Sequence, residues 1–156
     1  MRRPPRKSDM QIKEHSQAEE ILARGNLLCL AMSSDGQPYV VPMNYGLHQG
    51  RIYMHTGHKG LKMEVLAANP RVSFTVYEGV EMVSDPQPCA WDTRYQSVVG
   101  LGSARLVGDP AEKRAGLEAI ARACGHDGGE AMPEEKVRMV AVLCIEIDHL
   151  SGKKNP

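Results

Sequence analysis

Aromatic side chains are scarce in this chain: 156 residues include one Phe and one Trp. Aliphatic and Met side chains must therefore fill the core, and the 42% hydrophobic content is enough for a globular domain. Excess charge is also missing. Nineteen Lys and Arg balance nineteen Asp and Glu, so no global field favours nucleic acid or an anionic membrane as partner. No apolar run approaches the ~20 residues that span a bilayer. "MRRPPRK" at the start is basic, but no apolar segment follows it. That argues against a secretory or twin-arginine signal and makes a cytoplasmic location the expectation. Cys29, Cys89, Cys124 and Cys144 form no CxxC, so neither a zinc site nor a redox pair is indicated. The histidines carry no HExxH or other ligand spacing, and no metal is expected. No GxGxxG follows a strand and no Walker motif occurs, which disfavours a nucleotide-binding α/β fold.

The elements that are present read mostly as strands. Residues 1–10 hold four cations and two prolines and suggest a flexible basic arm before a single domain over 11–153. "SQAEEILARG" offers Ser16 and Glu19 as a capping box for a short helix that Gly25 ends. Strands are predicted over 27–33, 38–47, 51–56, 71–83, 95–108 and from Val140 onward. In "RIYMHT", alternation puts Ile52 and Met54 on one face and Arg51, Tyr53 and His55 on the other. Gly100 and Gly102 inside one strand point to a bend, a bulge or close backbone approach. Asp109 and Pro110 are cap and first residue of a helix to about 124, and "EEKVRM" reads as a helical turn. Six strands, mostly short, and a few helices predict a mainly β protein, a small antiparallel barrel that leaves few edges.

Three stretches carry polar chemistry. "HTGHKGLK" (55–62) crowds cations and donors at a helix start, where the unpaired N–H groups and the dipole already favour an anion. Lys59 and Lys62 would be neighbours on one helix face. The cluster is either a solvated basic surface or a phosphate seat. "VPMNYG" (41–46) puts Pro42 at an edge or bulge, and Asn44 and Tyr45 either form a turn or meet a planar polar ligand. In "WDTRYQSVVG" (91–100), Arg94 and Ser97 are donors, while Trp91 and Tyr95 could cover a ring. No catalytic set emerges; His55 is the nearest to a general acid, with no Asp or Glu beside it in sequence.

In order, "MRR", "PYVVPMNYG", "IYMHTGHKGLKMEVLAANPRVSFTV", "YQSVVGLGSARLV" and "IEIDHLSGK" resemble the FMN-binding split-barrel superfamily related to pyridoxamine 5′-phosphate oxidase. Within it they are most similar to the 5-nitroimidazole-resistance (Nim) proteins. The resemblance implies a six-stranded antiparallel split β-barrel and a homodimer with FMN in each of two interface clefts. It implies that Met43, Asn44 and Tyr45 line the flavin ring. His55, Thr56 and Lys62 would hold the phosphate end, with Arg94, Tyr95, Ser97 and Val98 completing the site. Lys59 ranks below Lys62, and Cys89 falls where such sequences often carry a cysteine, with no mechanism attached. No arginine-rich substrate loop or "RL.P"-type ending is present, which disfavours vitamin B6 oxidation. The implied activity is an FMN-dependent oxidoreductase, taking electrons from a donor such as a nicotinamide to a small acceptor such as a nitroimidazole. The alternatives are a flavin or heme carrier or sensor without turnover, and a barrel that has lost its cofactor.

Overall fold

The computed structural model describes residues 8–156; residues 1–7 of the expected basic arm lie outside them. Ser8–Met10 form a 3-10 turn beside the last strand. The strands are β1 (Gln11–Ile12), β2 (Leu27–Ser34), β3 (Gln37–Asn44), β4 (Gly46–His48), β5 (Arg51–Thr56), β6 (Arg71–Val83), β7 (Asp92–Leu106) and β8 (Ala141–Asn155). The helices are α1 (His15–Arg24), α2 (Leu61–Ala68), α3 (Pro110–Ala123) and α4 (Glu134–Met139). All pairings are antiparallel, in the order β3-β2-β6-β7-β8-β5-β4, with β1 added to β8. The sheet curls until β3 comes beside β5. This is a split barrel.

Eight strands replace the expected six, and the two extra ones are short. β1 is a two-residue pairing on the end of β8. β4 arises because the predicted 38–47 strand breaks at Tyr45. The Tyr45 ring is fully buried, its hydroxyl donates to the Leu22 carbonyl at 2.6 Å, and its N–H donates to the Asn26 carbonyl at 3.1 Å. The chain therefore leaves β2 and restarts against β5. Asp35–Gly36 and Gln49–Gly50 turn the two tight hairpins, all four residues having positive φ. β7 begins three residues earlier than predicted, at Asp92. The Ser16 capping box does not form: α1 starts at His15 behind Glu14, with no side-chain cap. Asp109 caps α3 as expected, accepting from the Glu112 N–H at 2.7 Å.

The inner face of the sheet holds the main core. Leu28, Leu30, Val72, Phe74, Val76, Val98, Met54 and Ile145 meet there, and α1 plugs it with Ala18, Ile21 and Leu22. The single Phe explains Gly100: the Phe74 ring lies where a Cβ of residue 100 would stand. Gly102 packs against the Glu146 carbonyl beside a shift in the β7–β8 register. A second core lies outside the sheet, where α3 and α4 bring Leu117, Ile120 and Val137 onto Tyr53, Val107, Val142 and Cys144. β5 and the start of β8 are thus buried on both faces. Tyr53 thus lies on the opposite face from Ile52 and Met54, as alternation in "RIYMHT" gives it, and is buried there. Its hydroxyl donates to Glu112 Oε1 at 2.9 Å, and Arg105 donates to the same carboxylate at 2.6 and 3.1 Å.

Replacing Gly100 by Ala should destabilise the protein by about 1–3 kcal/mol, the usual range for overpacking. Chemical denaturation checks this; an unchanged midpoint would mean that the ring moves aside freely.

Candidate ligand-binding site

The outer face of the sheet is covered unevenly. α3 takes the part formed by β5 and the start of β8. The remainder, on β3, β2, β6, β7 and β8, has no helix over it among the described residues. Strand register sets Val40, Ala31, Ser73, Leu101 and His149 in one row, and Pro42, Cys29, Thr75, Val99 and Ser151 in the next. A third row holds Asn44 with Leu27, and Tyr77 with Ser97 and Lys153. None of these side chains is buried, and Val40 and Tyr77 are each 61% exposed. The hydroxyls of Ser73 and Thr75 donate to the carbonyls of Gly100 and Val98, both at 3.0 Å. Most of the face therefore presents methyl groups and ring surface. Leu27, Val40, Tyr77 and Val99 are its exposed large apolar side chains.

The residues predicted to bind a ligand fall into two groups. At the β3 edge, the Lys62 ammonium lies 2.9 Å from Met43 Sδ. The sulfur is a weak acceptor, and among the described residues no carboxylate pairs with Lys62. Partial burial lowers its pKa by desolvation. Asn44 is exposed next to Met43, its amide donating to the Asn26 carbonyl at 3.1 Å. Thr56 ends β5 half-buried, whereas His55 is exposed and turned to the other side of that strand. Lys59 precedes α2, so it is not the helix-face neighbour of Lys62 that spacing suggested. Gly60, at φ 120°, makes the bend that starts the helix late.

The second group lies on β7. Ser97 stands opposite Lys153, and the Lys153 ammonium is 5.4 Å from the centre of the Tyr95 ring. Arg94 is exposed, 3.4 Å from Glu81. Val98 is fully buried in the inner core. β2 and β6 separate the two groups in the sheet. Tyr45 and Val98 are buried in the core of the protomer. Two surface concavities, of about 430 and 340 Å³, sit at the α3–α4 connection and at α4, and none of these residues lines them.

Sequence reasoning passed over Lys153 and Tyr77. Lys153 was in plain view as the last residue of "IEIDHLSGK", but only the strand register shows that it faces Ser97. Among the described residues no group of three His, Cys, Asp or Glu could hold a metal ion, and no helix is long and apolar enough to cross a membrane.

Lys62 lies against Met43 of the inner core, whereas Asn44, Ser97 and Lys153 stand on the outer face of the sheet. The family model described as pyridoxamine 5′-phosphate oxidase matches residues 14–154, and the chain belongs to that family. It is similar to a candidate 5-nitroimidazole antibiotic resistance protein from Bacteroides thetaiotaomicron VPI-5482, with 30% identity and a TM-score of 0.80, covering 92% of this chain and 86% of that one. A flavocytochrome from Azotobacter vinelandii shares the fold at 20% identity and TM-score 0.83, covering 97% and 72% of the two chains. An FAD-binding protein from Mesorhizobium loti does so at 24% identity and TM-score 0.68, covering 92% and 96%. An uncharacterized protein of Rhizobium meliloti (strain 1021) is 30% identical over 69 residues, 44% of this chain and 45% of that one. The match thus spans less than half of that relative's length.

Tyr45→Phe should cost about 1–3 kcal/mol, because it leaves the buried Leu22 carbonyl without its donor. Thermal or denaturant unfolding reads this out. A loss of ligand affinity without loss of stability would instead assign the hydroxyl to the ligand.

Proposed function

We propose that this protein binds a flavin, FMN, in clefts between two copies of the chain, and acts as an oxidoreductase on a small acceptor. The observation that carries the proposal is Lys62: a half-buried ammonium with a thioether as its contact and no paired carboxylate among the described residues. Desolvating a charge without pairing it is costly, and a phosphate supplied by a ligand offsets that cost. The bare sheet face supports the second copy. Its apolar rows would be covered by the same rows of a two-fold-related partner, as an isologous interface requires.

The flavin supplies hydride and electron transfer; the protein supplies binding, orientation and electrostatics. Lys62 and the backbone N–H groups at the start of α2 suit the phosphate. Asn44 and Ser97 place an amide and a hydroxyl at the rim of the sheet face for the polar edge of the ring. Arg94, on the same β7 strand, points to the opposite face from Ser97 and pairs with Glu81, and no ligand contact is assigned to it. His55 has no ion-pair or hydrogen-bond partner among the described residues, and no proton transfer is assigned to it. FMN is favoured because one ammonium matches one phosphate group. The Mesorhizobium protein is named for FAD and the Azotobacter protein as a flavocytochrome, so FAD and heme are the alternatives to test. The nitroimidazole acceptor rests on likeness to the Bacteroides protein.

The purified protein should carry flavin absorbance, or bind added FMN, and be a dimer by light scattering. A colourless protein that ignores FMN, FAD and heme would overturn the proposal. Oxidation of a reduced nicotinamide that depends on a nitroimidazole separates an enzyme from a carrier. Lys62→Met should weaken FMN binding by at least ~10-fold, the scale of a lost charge-assisted contact. In the ligand-free protein the same change should be neutral or stabilising, since it removes a desolvated charge.

The pH dependence has a definite sign. Burial sets the Lys62 pKa below its usual 10.5, so the unliganded fold is destabilised while this amine is charged. That penalty is relieved as pH rises through the lowered pKa. FMN requires the charged form, so its affinity should fall over the same alkaline range. Titrations of wild type and Lys62→Met separate this from other alkaline effects, because the variant should lose that part of the slope.

A further inference from the structure

We propose that the hairpin arm between β6 and β7 is the docking surface for residues 1–7 of the same chain, the segment that precedes the described residues. β2 pairs β6 only at Ser73–Thr75, and β8 pairs β7 only from Tyr95 onward. Among the described residues, 79–94 therefore form ladder pairs only with each other: Glu81 with Arg94, Met82 with Thr93 and Val83 with Asp92. This arm leaves Val80, Met82 and Trp91 each more than half exposed. The Trp91 indole N–H donates to the Asp85 carbonyl at 2.7 Å. Its ring is thus tied to Asp85 and adjoins Asp92 along the chain.

The arm is acidic. Glu81, Asp85 and Asp92 oppose a single cation, Arg94. Arg94 pairs with Glu81 at 3.4 Å, and among the described residues no cation pairs with Asp85 or Asp92. Asp85 Oδ1 accepts the Gln87 N–H, and Asp92 Oδ1 accepts the Thr93 N–H and the Asn155 amide. These bonds orient both carboxylates and leave their charge unmatched. Residues 1–7 are the counterpart. Arg2, Arg3, Arg6 and Lys7 are four of the chain's nineteen cations, and none of its nineteen Asp and Glu lies among them. Arginine suits this surface, since a guanidinium both pairs with a carboxylate and stacks on an aromatic ring.

Register brings the two together. β1 sets Gln11 opposite Lys153 on one side of β8, and β7 sets Ser97 opposite the same lysine on the other. The antiparallel run of β1 carries the chain before Gln11 toward Asn155, and Ser8–Met10 pack on β8. Asn155 faces Tyr95, and its amide donates to Asp92 Oδ1 at 2.8 Å and to the Thr93 carbonyl at 2.7 Å. The preceding segment thus joins the fold at the end of β8 that borders the base of the arm. Seven residues span ~23 Å when extended, against ~10 Å for the three strand residues from Arg94 to Trp91. Exposed ion pairs are individually weak, but a tether raises the effective concentration of the segment, so weak contacts suffice.

Trp91 is the only Trp, so its fluorescence in the full chain reports on the arm. At low salt and matched flavin content, replacing Arg2, Arg3, Arg6 and Lys7 together by Ser should shift Trp91 emission to the red and raise its quenching by acrylamide. Wild type should show the same change at about 1 M salt, where the Debye length is ~3 Å, and the variant should not respond. Asp85→Asn combined with Asp92→Asn keeps both Oδ1 acceptors and removes both charges. It should reproduce the effect, and the serine changes should then add nothing. An unchanged Trp91 signal in the serine variant overturns the proposal. A full serine effect in the Asn background also overturns it, since the cations would then act on other carboxylates such as Glu19 or Glu20 of α1. A wild-type signal that varies with protein concentration overturns the assignment to the same chain, because a neighbouring copy would be supplying the segment.

Discussion

The packing of α3 against half of the sheet's outer face determines what the other half is free to do. Tyr53 anchors this contact. Its ring fits against Gly116, where an added Cβ would come within 2.6 Å, and its hydroxyl shares Glu112 with Arg105. Arg105 holds the Glu112 carboxyl below its usual pKa, and burial raises the Tyr53 phenol. With α3 fixed there, β5 and the start of β8 are buried on both faces. Among the described residues no helix packs on the rest of that outer face. A face made of Val40, Leu27, Tyr77 and Val99 is consequently left in water, and a second copy is the partner proposed to cover it.

Charge then separates structural residues from candidate ligand residues. The arginines on this fold mostly have carboxylate partners: Arg24 with Glu78, Arg71 with Asp148, Arg105 with Glu112. Exposed pairs of this kind contribute little to stability. Lys62 and Lys153 have a thioether and an aromatic ring instead. Asn44 adjoins Met43 along β3, and Ser97 stands opposite Lys153.

Much of the fold was legible in the sequence because alternation is a local signal. Arg71–Val83 forms one strand with Val72, Phe74 and Val76 inward, as its pattern implies, and Asp109–Pro110 starts a helix. The misreadings share a physical cause: long-range packing overrode a local rule. Tyr45 breaks a strand because its ring belongs in the core under α1. Tyr53 keeps the face that alternation gives it and is buried there, because α3, whose Glu112 lies 59 residues later, covers it. The candidate site was legible as residue types. What alternation along one strand could not give was the row that runs across five of them. Asn44, Ser97 and Lys153 are far apart in the chain and share a face only through successive strand registers. Lys59 was misjudged for a smaller reason, since Gly60 delays the helix by one turn.

The central claim is that the bare sheet face pairs with itself and that the flavin is held where the two copies meet. Equilibrium sedimentation of the protein in FMN, detected at a flavin wavelength and at a protein wavelength, tests it most directly when wild type is compared with Val99→Lys. Val99 is 44% exposed in the middle row of this face, so an added charge there opposes pairing of two copies. The account predicts a dimer carrying flavin for wild type, and a folded monomer from which flavin has separated for the variant. A monomer that still carries flavin would contradict it.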